Sequence, residues 1–121
     1  MPANPLERIA VLQRLTGDII QDIEILQVDN PEHLKLRVSF VNGDALHIRE
    51  AWVGESLHRY AYYWLDSKDA LQIGWENVPH HDHIDTYPHH KHVGEQANIQ
   101  PTQETNLESV LEVIHASIKL R

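Results

Sequence analysis

The chain has 121 residues, 41% of them hydrophobic, with 10 Lys and Arg against 18 Asp and Glu, giving a formal net charge of −8 with neutral histidines. That length buries a core within one domain over 1–121, no apolar run approaches a bilayer span, and the acidic balance argues against indiscriminate polyanion binding, which rests on clustered Lys and Arg. Cysteine is absent, which excludes disulfides and thiolate metal sites, and the opening MPANPLERIA lacks the charged-then-apolar order of a secretory signal, so a cytoplasmic protein with no membrane partner is expected.

Asn4-Pro5-Leu6-Glu7 opens a helix: Asn caps, Pro fits the first helical position and Glu7 lies three residues past the cap. Leu6, Ile9, Leu12 and Leu15 mark its apolar stripe and Gly17 ends it, which predicts a helix over Pro5 to Leu15. From Ile19 the period changes to two, with Ile23 and Ile25 alternating with Asp22, Glu24 and Gln27. After the turn Asp29-Asn30-Pro31-Glu32, Leu34, Leu36, Val38 and Phe40 alternate with His33, Lys35, Arg37 and Ser39. A two-residue Asn42-Gly43 loop would place His47 and Arg49 on the apolar face. A three-residue loop Val41-Asn42-Gly43 pairs Val38 with Leu46 and Leu36 with Ile48 instead, and is preferred.

Two further strands are predicted over Leu57 to Leu65 and Ala70 to Trp75, connected through Gly54-Glu55 and Asp66 to Asp69. With Gly54-Glu55 alone as the loop, Glu50 faces Arg59 as a cross-strand ion pair, and Tyr60 and Tyr62 lie beside Ile73 and Trp75. The polar stretch Gly94 to Gln103 reads as loop. Thr105-Asn106-Leu107-Glu108 reads as a capping box ahead of the stripe Leu107, Val110, Leu111, Ile114 and Ile118. The expected fold class is α+β: a five-strand antiparallel meander flanked by an N-terminal and a C-terminal helix, with a long His-rich loop before the last helix.

That loop, within Trp75 to His92, holds six of the ten histidines: His80, His81, His83, His89, His90 and His92. Two Pro-His-His units recur, each followed by a histidine two places on. Near-neutral imidazoles serve proton transfer, metal binding and pH switching. One reading is metal-free acid/base chemistry on RNA, with one histidine taking the 2′-hydroxyl proton, another protonating the leaving oxygen, and Arg or Lys holding the phosphate. Tyr60, Tyr62 and Trp75 would stack bases. A second reading is a metal site of His81, His83, His90 and His92 for a divalent transition metal such as zinc or nickel, with Asp82 or Asp85 as oxygen ligands. The plain alternative is a solvated polar turn, with Trp75, Tyr60 and Tyr62 in the core, Arg59 as Glu50's partner, and Asn77 as a turn former. His33, His47 and His115 read as surface.

Arg59-Tyr60-Ala61-Tyr62, Trp75-Glu76-Asn77-Val78-Pro79-His80-His81 and Tyr87-Pro88-His89-His90-Lys91-His92 together resemble the TumE family of small prokaryotic toxin components. That family pairs an aromatic-Asp-Asn-x-Pro-His-His element with an aromatic-Pro-His-His-x-His element. The chain departs from it at Glu76, where Asp is usual, and at Gly74, where a basic residue is common. The resemblance implies a toxin encoded beside a helix-turn-helix antitoxin and acting on RNA. Carried over by position, it implies His80, His81, His89, His90 and His92 as catalytic residues and Tyr60, Tyr62 and Asn77 as substrate contacts. One of His80 and His81 would be the base, one of His89 and His90 the acid, and Lys91 or His92 the phosphate support. The expectation is a metal-independent ribonuclease that needs no cofactor, with RNA and the antitoxin as partners and room for a homo-oligomer. The competing class is a non-enzymatic binding module whose loop holds a metal ion or a protein partner.

Overall fold

The computed structural model describes residues 5–29 and 32–120; the Asn4 cap and the Asn30-Pro31 pair of the first turn lie outside them. Helix α1 (Pro5–Thr16) leads into β1 (Ile20–Asp29), β2 (His33–Phe40), β3 (Ala45–Val53), β4 (Ser56–Leu65) and β5 (Leu71–Glu76). After the histidine segment come β6 (His90–Val93), β7 (Ile99–Gln100) and helix α2 (Leu107–Lys119). The strands form one antiparallel sheet in sequence order.

The meander therefore has seven strands among the described residues, not the expected five. Beyond β5 the sheet gains β6, with Glu76 opposite His90 and Ile73 opposite Val93, and then β7, with His92 opposite Ile99. The His-rich loop is correspondingly shorter, and the stretch read as loop from Gly94 contains β7. His-Lys-His-Val carries no apolar alternation, so a period-two search passes over it.

Strand alternation buries Leu34, Leu36, Val38, Phe40, Leu46, Ile48, Tyr60, Tyr62, Trp64 and Trp75 on one face of the sheet. Both helices cover that face, α1 through Leu12 and α2 through Leu107, Val110, Leu111, Ile114 and Ile118. Each large side chain so buried contributes on the order of 1.5–3 kcal/mol. The α2 cap falls one residue later than expected: Asn106 accepts from Ser109 N, and the Ser109 hydroxyl completes the box. The β2–β3 hairpin has the preferred register, Val38 opposite Leu46 and Leu36 opposite Ile48. Gly43, at φ 93°, supplies the left-handed turn residue.

The β3–β4 ladder starts at Val53 opposite Ser56, then shifts between Ala51 and Trp52, leaving Glu50 opposite Tyr60 and Arg59 opposite Ala51. Arg59 therefore does not pair with Glu50. The buried Glu50 carboxylate instead accepts from Arg8 of α1 at 2.8 Å, the Tyr62 hydroxyl at 2.5 Å and Trp52 Nε1 at 3.4 Å. Tyr62 lies opposite Trp75, Trp64 opposite Ile73, and Tyr60 accepts a backbone bond from Asn77. Among the described residues the other face of the sheet carries no helix and presents the alternate residues, including Lys35, Arg37, His47, Arg49, Tyr63, Glu76, His90 and His92. At the β1 edge Ile25, Leu26 and Val28 are exposed.

Candidate functional site

Register alone assembles the site. Glu76 and Gly74 on β5 lie opposite His90 and His92 on β6, and Tyr63 on β4 lies opposite Gly74. All five point to the helix-free face. Glu76 Oε1 is 3.1 Å from His90 Nε2 and 3.2 Å from His92 Nε2, and its Oε2 accepts from the Tyr63 hydroxyl. His90 and His92 are 1% and 5% exposed. The other ring nitrogens are committed: His90 Nδ1 lies 3.1 Å from Pro88 O, and His92 Nδ1 2.8 Å from Gln96 O. A carbonyl oxygen only accepts, so both Nδ1 atoms carry hydrogen and both Nε2 atoms are aimed at one carboxylate oxygen.

The loop between β5 and β6 folds through successive turns, with hydrogen bonds from Ile84 to His81, from Tyr87 to Ile84 and from His89 to Thr86. It lays His81 edge-on against His90, ring centroids 4.8 Å apart, and 6.2 Å from His92. His83 sits 6.0 Å and His80 6.4 Å from His81, and both are exposed. The two halves of the doubled Pro-His-His element thus meet through His81, His90 and His92. Asp82 and Asp85 are exposed and belong to no metal-competent group among the described residues; Glu76 stands where an oxygen ligand would.

The remaining sequence-selected residues go elsewhere. His89 accompanies Tyr60, with Nδ1 2.8 Å from the hydroxyl. Lys91 faces the helices, 3.4 Å from Glu104, whose Oε1 also accepts from Trp75 Nε1. Tyr62 is buried against Glu50. Asn77 ties the β4 irregularity together, accepting from Tyr60 N and donating to His58 O, while its own carbonyl accepts from Arg59 at 2.8 Å. His115 pairs with Asp18 at 2.9 Å.

Beside Glu76 the open face forms a groove of about 420 Å³ lined by His33, Lys35, Arg49, Arg59, Tyr63 and Glu76. Electrostatics follow the geometry. Burial works against the Glu76 carboxylate, but the bonds from Tyr63, His92 and His90 outweigh it and hold its pKa below the ordinary 4.5. Burial, then repulsion from His90 and His92, lowers the pKa of His81, and burial, then His90, lowers that of His89. Burial, followed by the bond to Glu76, raises that of Tyr63.

A family model described as Toxin TumE matches residues 8–120, from the first turn of α1 through the end of α2. The chain belongs to the TumE toxin family. No curated protein and no solved structure matches it. Membership makes the chain the toxin side of a toxin–antitoxin pair and implies an antitoxin partner. The departures from the TumE pattern have a structural meaning here. Gly74 makes room for the Tyr63 ring, whose Cδ1 and Cε1 occupy the space of a Cβ at that position, and Glu76 is the residue that ring anchors. Tyr63 and Glu76 are the functional candidates that sequence reasoning passed over. Glu76 is marked in sequence by its place in the first Pro-His-His element, and Tyr63 only by the glycine in a strand, which marks close approach of another group. Among the described residues no helix is long and apolar enough to cross a membrane.

Proposed function

We propose that this TumE toxin acts in the cytoplasm as a ribonuclease, cleaving RNA on the open sheet face, and is held in check by a helix-turn-helix antitoxin. The carrying observation is that His81 meets the Glu76–His90–His92 unit on the same face as Lys35, Arg37 and Arg49, none ion-paired with another described residue. His81, half-exposed at the rim, takes the 2′-hydroxyl proton. The oxygen attacks phosphorus, the bond to the 5′ oxygen breaks, and the Nε2 proton of His90, held at Glu76 Oε1, passes to that leaving oxygen. Arg49 and Arg59 in the groove hold the phosphate, the role first given to Lys91. Tyr60 and Asn77 support the site from behind, through His89 and the β4 backbone.

The test is a set of single substitutions read in two assays, RNA cleavage with growth arrest and antitoxin binding. His81→Ala is expected to lower cleavage by roughly 100-fold or more while leaving antitoxin binding intact, and Arg49→Gln to weaken RNA binding. Full toxicity in His81→Ala, or joint loss of toxicity and antitoxin binding across the series, would replace this reading with that of a binding module.

A further inference from the structure

The arrangement around Glu76 Oε1 gathers two imidazole nitrogens on one carboxylate oxygen, and that convergence calls for positive charge among them. Both Nδ1 atoms already donate to carbonyls, so in neutral imidazoles the two Nε2 lone pairs would confront an ionised carboxylate oxygen. Either protons on the imidazoles or a single metal cation among the three atoms resolves that conflict. We infer that Glu76 Oε1, His90 Nε2 and His92 Nε2 bind one divalent transition-metal ion of the zinc class. The inference concerns the site assigned above to RNA chemistry, but the cluster's geometry carries it without that reading.

Four observations support the site. The three ligand atoms lie within 4.8 Å of one another, and the two Nε2–Oε1 separations of 3.1 and 3.2 Å approach the edge of a tetrahedron. That edge is about 3.3 Å for metal–ligand bonds of about 2.0–2.1 Å. Each imidazole is oriented by a carbonyl on its far nitrogen, the arrangement that surrounds metal-bound histidines. The carboxylate is oriented the same way, because Tyr63 holds Oε2 and leaves Oε1 for ligation. Finally, β5 and β6 are paired strands, so the ligands stand on a rigid ladder.

Two histidines and one carboxylate leave a coordination position open, the mark of a catalytic zinc site. His81 stands over the cluster against His90. The absence of cysteine favours a borderline ion that accepts nitrogen and oxygen over a soft one. On the RNA reading, the metal would take the place of the His90 proton and stabilise the leaving oxygen as a Lewis acid.

The experiment is titration of the chelator-treated full chain with zinc(II), with cobalt(II) as a spectroscopic stand-in. The expected result is one equivalent bound, a tetrahedral cobalt spectrum, and selective shifts of the His90 and His92 Nε2 resonances in the unsubstituted protein. That last readout does not depend on any variant folding. Glu76→Gln and His90→Ala should abolish stoichiometric binding, Tyr63→Phe should weaken it by roughly tenfold or more, and the paired His80→Ala, His83→Ala variant should keep it. No binding, or binding that follows His80 and His83 instead, overturns the inference. RNA cleavage is read in the same samples: one bound equivalent without cleavage keeps the metal and removes the ribonuclease, whereas cleavage by a chain that binds no metal does the reverse.

Discussion

At Gly74 an added Cβ would overlap Cδ1 and Cε1 of Tyr63, because that ring lies over β5 on its way to Glu76. Alanine elsewhere in a strand would gain about 0.5–1 kcal/mol over glycine from backbone entropy, whereas forcing a packed ring aside costs about 1–3 kcal/mol. The overlap wins. Gly74→Ala is expected to destabilise the fold by roughly that cost in urea unfolding, and most of the loss should vanish in a Tyr63→Ala background. Equal effects of Gly74→Ala in the two backgrounds would show that Tyr63 is not what the glycine accommodates. These roles are hard to read along the chain, since Tyr63, Gly74 and Glu76 come together only across a ladder. The doubled Pro-His-His spacing is visible in sequence, but which histidines face each other is not: strand alternation turns Lys91 toward Glu104 while His90 and His92 point the opposite way.

Among the elements, β2, its hairpin to β3 and helix α2 are legible because their apolar residues recur at periods of two and 3.6 against a helix-covered face. Strand β6 is illegible for the converse reason, its paired residues being histidine and lysine. The β3–β4 register is misread because one extra residue near His58 shifts the ladder by a position, and no glycine or proline there announces it. The shift hands Glu50 to Arg8, so a helix-to-sheet ion pair replaces the expected cross-strand one. Glu50's side chain is fully buried and Arg8's 12% exposed, and removing one partner of such a pair costs about 3–5 kcal/mol. Arg8→Met should therefore lower unfolding stability toward the bottom of that range. Arg59→Met, which loses a bond to the Asn77 carbonyl, should cost only about 1 kcal/mol. The reverse order would restore the Glu50–Arg59 pairing. The same network sets an alkaline limit. Burial, then the Glu50 charge and its bond, raises the Tyr62 pKa well above the ordinary 10.0. The stability contributed by the neutral phenol is fully present below pH 10 and declines as pH rises beyond it. Unfolding monitored across that window should show the decline, and a flat profile would place Tyr62 outside the buried network.

Over the whole molecule, net charge misleads because the fold sorts the charges. The formal balance is −8, yet four of the ten Lys and Arg, at positions 35, 37, 49 and 59, lie on the helix-free face of β2 to β4. Other cations are spent internally: Arg8 on Glu50, Lys91 on Glu104 and Lys119 on Asp18. Asp22 and Glu24 of β1 and Glu76 share the helix-free face, so an attractive surface for RNA would be confined to β2 to β4, beside the histidine cluster. Each phosphate contact by Lys or Arg on single-stranded nucleic acid contributes about 0.7 to the slope of log affinity against log salt. Replacing Lys35, Arg37 and Arg49 together with Gln should flatten that slope by about 2. Arg14→Gln, on the exposed side of α1, should leave it unchanged. Affinity for unrelated single-stranded sequences should fall in parallel if these side chains meet phosphates, as proposed, since phosphate contacts carry no sequence information. An unaltered slope in the triple variant would mean that RNA, if bound, approaches from the helix layer or a sheet edge, and would separate the histidine cluster from any substrate path across the sheet.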